Sequence, residues 1–101
     1  MITVNVNVDR MCKGTPFRKG NCCLIGFIAK RFKIDKINSE YLNTTTILNH
    51  LEKDHKLHRD VLRRIYAFSD NSFRNRGTKE WKKQVKSLFN EIGLKVRFVN
   101  K

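Results

Sequence analysis

The chain has 101 residues, 40% apolar and 10% aromatic, with 22 Lys and Arg against 9 Asp and Glu, a net charge of +13. One hydrophobic core fits this length, so residues 1–101 are expected to form a single domain, and the apolar content excludes a disordered basic tail. The longest apolar run, residues 22–29, falls far short of the roughly 20 residues of a membrane span. Residues 1–5 show no basic segment leading into an apolar one, so no membrane association and a cytoplasmic location are expected.

Residues 2–8 alternate strictly. Ile2, Val4, Val6 and Val8 point one way and Thr3, Asn5 and Asn7 the other, the pattern of a half-buried strand. Residues 9–21 combine Gly14, Pro16 and Gly20 with Arg10, Lys13, Arg18 and Lys19 and read as a basic loop. Asn21 offers an N-cap to a helix starting at Cys22. That helix is apolar for two turns and ends in Lys30, Arg31 and Lys33, where cations suit the negative end of its dipole. Gly26 within it weakens the helix, which points to a neighbouring element packed closely there.

Residues 35–46 give no clear element. Ile47, Leu48 and Leu51 have helical spacing, and Val61, Leu62, Ile65, Tyr66 and Phe68 repeat it; residues 54–58 between them form either a bend or a continuation. Ser69, Asp70, Asn71 and Ser72 read as a turn that continues as a basic loop through Arg74, Arg76 and Gly77. The clearest helix covers 79–92, with Thr78 as N-cap and Gly93 as the residue after its end. Trp81, Val85, Leu88, Phe89 and Ile92 share one face, and Lys79, Lys82, Lys83 and Lys86 lie opposite. Leu94, Val96 and Phe98 then alternate with Lys95, Arg97 and Val99 in a second strand. The fold class is α+β: the N- and C-terminal strands form a small sheet, and three to four helices cover one face and supply most of the core.

Cys12, Cys22 and Cys23 are an odd set without a secretion signal, which argues against a disulfide framework. Cys22 and Cys23 open the apolar run and read as small buried side chains. No C-x-x-C or H-x-x-x-H spacing is present, so no metal or cofactor is expected.

The charge is uneven. Residues 9–20 and 30–36 each hold four cations against one anion, residues 40–60 three against four, and residues 63–101 eleven against three. Such a surplus is matched most often by nucleic acid. The candidate contacts are Lys79, Lys82, Lys83 and Lys86 as a stripe, with Arg10, Arg18, Lys19, Arg74 and Arg76 on loops, where the planar guanidinium suits phosphate. Trp81, Phe89 and Phe27 fall on core faces. Phe17 and Phe73 sit beside arginines, either as stacking platforms or, the favoured reading, as anchors that pin their loops to the core.

No catalytic set is assigned. His55, His58, Arg59, Arg63 and Tyr66 make the best enzymatic alternative, a small basic ribonuclease. Converging carboxylates for metal-dependent chemistry are lacking, as are the phosphate-loop, nucleophile-elbow and H-E-x-x-H motifs. A helix-turn-helix is disfavoured, since no glycine separates the two central helices and Glu52, Asp54 and Asp60 lie where a reading helix should be basic.

Asn21-Cys22-Cys23-Leu24-Ile25-Gly26, followed by Phe68-Ser69-Asp70-Asn71-Ser72 and an amphipathic helix, resembles a family of small uncharacterised bacterial and phage proteins across about half of the chain. The spacing and the basicity depart from that family's pattern. The resemblance implies a compact accessory protein and carries no activity or site residue with it. The reading is a non-enzymatic protein that binds RNA, DNA or a ribonucleoprotein through its Lys/Arg surface. The alternative is a phage-type inhibitor or host-takeover protein docked on an acidic patch or nucleic-acid groove of a host protein.

Overall fold

The computed structural model describes residues 1–34 and 44–99. Strand β1 (Ile2–Asn7) pairs with strand β4 (Leu94–Val99), in parallel and in register from Ile2 beside Leu94 to Asn7 beside Val99. Parallel neighbours need a long crossover, and the four α-helices among the described residues lie within it: α1 (Leu24–Arg31), α2 (Thr44–His55), α3 (Arg59–Asn71) and α4 (Lys79–Glu91). The α+β class and the pairing of the terminal strands therefore hold. The alternation in both strands sorts their side chains. Val4, Val6, Leu94 and Val96 are buried beneath the helices, whereas Asn5, Lys95 and Arg97 are exposed on the other face. The core also takes Leu24, Ile25 and Ile28 from α1, Ile47 and Leu51 from α2, Leu62 and Ile65 from α3, and Trp81, Val85 and Phe89 from α4. No helix among the described residues is long and apolar enough to cross a membrane.

The segment expected as a basic loop contains a small hairpin. β2 (Phe17–Arg18) pairs antiparallel with β3 (Asn21–Cys22) across a turn in which Lys19 (φ 50°) and Gly20 (φ 83°) are both left-handed. Two positive φ values mark the turn whose twist matches a two-residue hairpin. This corrects the start of α1. Asn21 is spent on the hairpin rather than on a cap, the Cys22 carbonyl accepts from the Cys12 N–H (3.0 Å), and Cys23 becomes the N-cap. The Leu24 N–H at the helix start donates to the buried Ser69 Oγ (3.1 Å), which satisfies one of the donors every helix start leaves open. The close neighbour implied by Gly26 is the hairpin. A Cβ there would lie 2.1 Å from the Pro16 carbonyl oxygen.

The polar cluster 69–72 is not a free turn. Ser69, Asp70 and Asn71 form the last turn of α3, and the Ser69 and Asp70 side chains hold Leu24 and Gly14. Asp70 Oδ1 accepts from the Gly14 N–H (2.8 Å), and the Tyr66 hydroxyl donates to the Gly14 carbonyl (3.1 Å). Of residues 54–58, 54 and 55 continue α2 and 56–58 form a break before α3. Lys56 turns left-handed (φ 59°) after α2, with its N–H on the Glu52 carbonyl, the role glycine usually takes at a helix end. Of residues 35–46, left without an element by the sequence, 44–46 open α2 and 35–43 lie outside the described residues. Helix α4 follows its expected bounds closely. Thr78 Oγ1 accepts from the Trp81 N–H (3.2 Å), and Gly93 is left-handed (φ 73°) beyond the end.

Candidate nucleic-acid interface

Helix α4 has two unlike flanks around its buried line of Trp81, Val85 and Phe89. Glu80, Gln84 and Glu91 line one flank, with Glu91 reaching Arg64 of α3 through two charge-assisted bonds (2.9 and 3.0 Å). Lys79, Lys82, Lys83 and Lys86 line the other. Two of the four border β4, Lys82 Nζ lying 5.3 Å from the centre of the Phe98 ring and Lys86 sharing an open groove with Lys95, whereas Lys79 and Lys83 are exposed on the side away from the buried line. Lys82 is accordingly half-buried, its stem against apolar surface and its ammonium outward.

At the start of α4 the lysine flank meets a short 3₁₀ turn (Phe73–Asn75). The Arg76 guanidinium lies 4.0 Å above the Phe73 ring, and its Nη1 donates to the Phe73 carbonyl (3.0 Å). Phe73 itself packs against the core, as does Phe17, so both anchor their loops. Phe73 in addition orients an arginine. Arg76 and Lys82 line one open cleft of about 410 Å³ with Val8, Thr78 and Phe98, and Asp9 is the acid on its wall. Arg10 closes the neighbouring 3₁₀ turn (Val8–Arg10), where the Asn7 side chain accepts from the Asp9 N–H (3.0 Å).

Five of the expected contacts, Arg76, Lys79, Lys82, Lys83 and Lys86, thus form one run, with Arg10 at its edge. Arg74 is exposed on the 3₁₀ turn that leads into it. Arg18 and Lys19 go elsewhere, to the exposed end of the β2–β3 hairpin. Lys95 and Arg97 belong with the run and were overlooked as contacts, although strand alternation alone turns both outward. Among the described residues the ion pairs are His50–Asp54 (3.0 Å), Arg59–Glu52 (3.6 Å) and Arg64–Glu91 (2.9 Å). None of them includes a residue of the run.

Among the described residues no hydrogen bond or ion pair joins the groups of the enzymatic alternative to one another, and Arg63 is exposed on α3. The Tyr66 hydroxyl is held by Gly14, the His55 ring lies 4.3 Å from that of Phe32, His58 is the exposed N-cap of α3, and Arg59 is held by Asn49 and Glu52. His50 hydrogen-bonds Asp54 and holds that carboxyl below its usual range. The three cysteines are buried and form no disulfide. Burial raises the Cys12 thiol above its ordinary value and pushes Cys23 up to about 12, so neither is an activated nucleophile. No three His, Cys, Asp or Glu side chains converge as metal ligands among the described residues. Comparison of the chain with protein-family models, with curated proteins and with solved structures finds no match.

Proposed function

We propose that the protein is a non-enzymatic nucleic-acid-binding protein whose lysine flank on α4, with Arg76, Lys95 and Arg97, tracks a phosphate backbone. The observation that carries this reading is the division of charge. Among the described residues the acids that form ion pairs sit on α2 and on the α3-facing side of α4, and no cation of the run is in an ion pair; Asp9 shares the Arg76–Lys82 cleft and Glu80 borders Lys83, so the run keeps a large cationic excess over these two carboxylates. Cations fixed on a helix flank and an adjoining strand neutralise phosphates without reading bases. Arg10, Arg74 and the hairpin residues Arg18 and Lys19 extend the contact.

The test is fluorescence anisotropy with labelled RNA and DNA over a series of salt concentrations. Log affinity should fall linearly with log salt, and the K79E/K82E/K83E/K86E variant should flatten that slope by about 4, close to one unit per phosphate contact. A variant that binds like the parent sinks the reading. Retention of a discrete host protein after nuclease treatment, with no nucleic-acid affinity, replaces it by the inhibitor reading.

A further inference from the structure

A second site, on the other edge of the sheet, does not depend on the α4 surface. An open cleft of about 350 Å³ runs between β1 and α1, walled by Asn5, Asn7, Phe27, Lys30, Arg31 and Val99. Phe27, Lys30 and Arg31 stand at i, i+3 and i+4 of α1, so one helix face presents an apolar floor and two cations. Among the described residues no acid lines the cleft, and none pairs with Lys30 or Arg31.

Asn7 is the outlier of the outer sheet face. It is only 4% exposed, and its Nδ2 is buried without a hydrogen-bond partner. Its orientation is fixed, because Oδ1 accepts from the Asp9 N–H and turning the amide over would set two donors against each other. Asn7 therefore holds beneath the cleft wall a covered donor that lacks an acceptor, and buried polar groups are rarely left so. Arg31 is also held in place, with Nε donating to the Thr3 carbonyl (3.0 Å). That bond leaves the terminal nitrogens of the guanidinium as a fork for two acceptor oxygens.

We propose that this cleft binds a phosphomonoester group. Lys30 and Arg31 supply donors and positive charge to the phosphate oxygens, the unpaired Asn7 amide adds its partial positive charge from beneath the wall, and Phe27 and Val99 border the organic part. A phosphate offers three terminal oxygens to these donors, one more than a carboxylate, and the volume suits a ligand of nucleotide size. The group comes either from a free small phosphomonoester or from the phosphorylated end of a strand.

Amide chemical-shift titrations of the full chain test the site, with AMP, with inorganic phosphate, and with short oligonucleotides carrying a 5′-phosphate or a 5′-hydroxyl. Saturable shifts at Asn7, Lys30 and Arg31 are expected, at equal ionic strength against chloride. AMP alone producing them identifies a free ligand, and a preference for the 5′-phosphate oligonucleotide identifies a strand end. Asn7→Asp keeps the acceptor for Asp9 and replaces the donor by a carboxylate, so it should weaken binding tenfold or more. The exposed Lys30→Gln should weaken it severalfold and serves if Asn7→Asp does not fold. The K79E/K82E/K83E/K86E variant should retain AMP binding, which separates this site from the α4 surface. Shifts that chloride reproduces, or unaltered binding by the folded variants at Asn7 and Lys30, overturn the assignment.

Discussion

The corner between α2 and α3 and the flank between α4 and β4 treat charge in opposite ways. At the corner Asp54 is matched by His50, and Glu52 by Arg59, across a tight left-handed break at Lys56. At the flank, lysines at 79, 82, 83 and 86 continue onto Lys95 and Arg97, and none of them is in an ion pair among the described residues. Both regions are exposed and both are tied into one core. The contrast teaches that the +13 charge is not spread evenly as a solubilising coat. The acids that form ion pairs among the described residues lie away from the flank, and the cations of the flank repel one another where a polyanion would relieve them.

The most severe way to break this contrast is to turn the lysines of the flank into acids. The K79E/K82E/K83E/K86E variant should lose nucleic-acid affinity by about 100-fold or more at low salt, a size in keeping with the loss of several phosphate contacts. Its urea midpoint should stay at or above that of the parent, since like charges have been removed. Next in size is a change that ignores charge. Gly26→Ala drives a methyl into the Pro16 carbonyl and should cost about 1–3 kcal/mol, as overpacking does. Urea denaturation measures it, and a neutral result would mean that the hairpin moves away freely.

Alkaline pH gives a graded effect. Burial keeps Cys23 protonated to about pH 12 in the folded chain, against an ordinary value of 9.0. The stability that depends on the neutral thiol is therefore complete below pH 9 and falls as pH rises from 9 towards 12. Cys23→Ala should be less stable near pH 7 and lose less between pH 9 and 11. Parallel curves for the two proteins would refute this. The smallest effect belongs to Glu91→Gln on the paired flank. It removes an exposed bridge to Arg64 and should leave both the thermal midpoint and the nucleic-acid affinity nearly unchanged, as exposed pairs usually do.

What could be read from the residues follows from how local each signal is. The terminal strands and α4 were legible because period-two and helical patterns, a threonine cap and a terminal glycine agree along one segment. The parallel pairing of the strands involves residues far apart in sequence, and alternation is silent about direction. The β2–β3 hairpin was missed because two-residue strands carry no period; the Lys19-Gly20 step was its only local mark. Ser69 and Asp70 misled because such residues favour turns, whereas here their oxygens meet N–H groups of Leu24 and Gly14 across the core. Lys56 gave no warning of a left-handed break, since glycine is the residue that announces one. At the candidate surface the lysine flank was visible from spacing alone. The separation of Arg18 and Lys19 from it, and the unpaired amide of Asn7, required the tertiary arrangement.

The in-register parallel pairing of β1 with β4 also fixes how the molecule responds to force. Ile2 lies at one end of that two-strand ladder and Val99 at the other. Tension applied between them drags the strands along each other, so the slanted hydrogen bonds share the load and must yield together. Tension applied between Asn7 and Val99, which sit side by side, opens the same bonds one after another. An optical trap gripping cysteine-free variants at positions 2 and 99 should record a much higher rupture force than one gripping 7 and 99, although the contacts broken are the same.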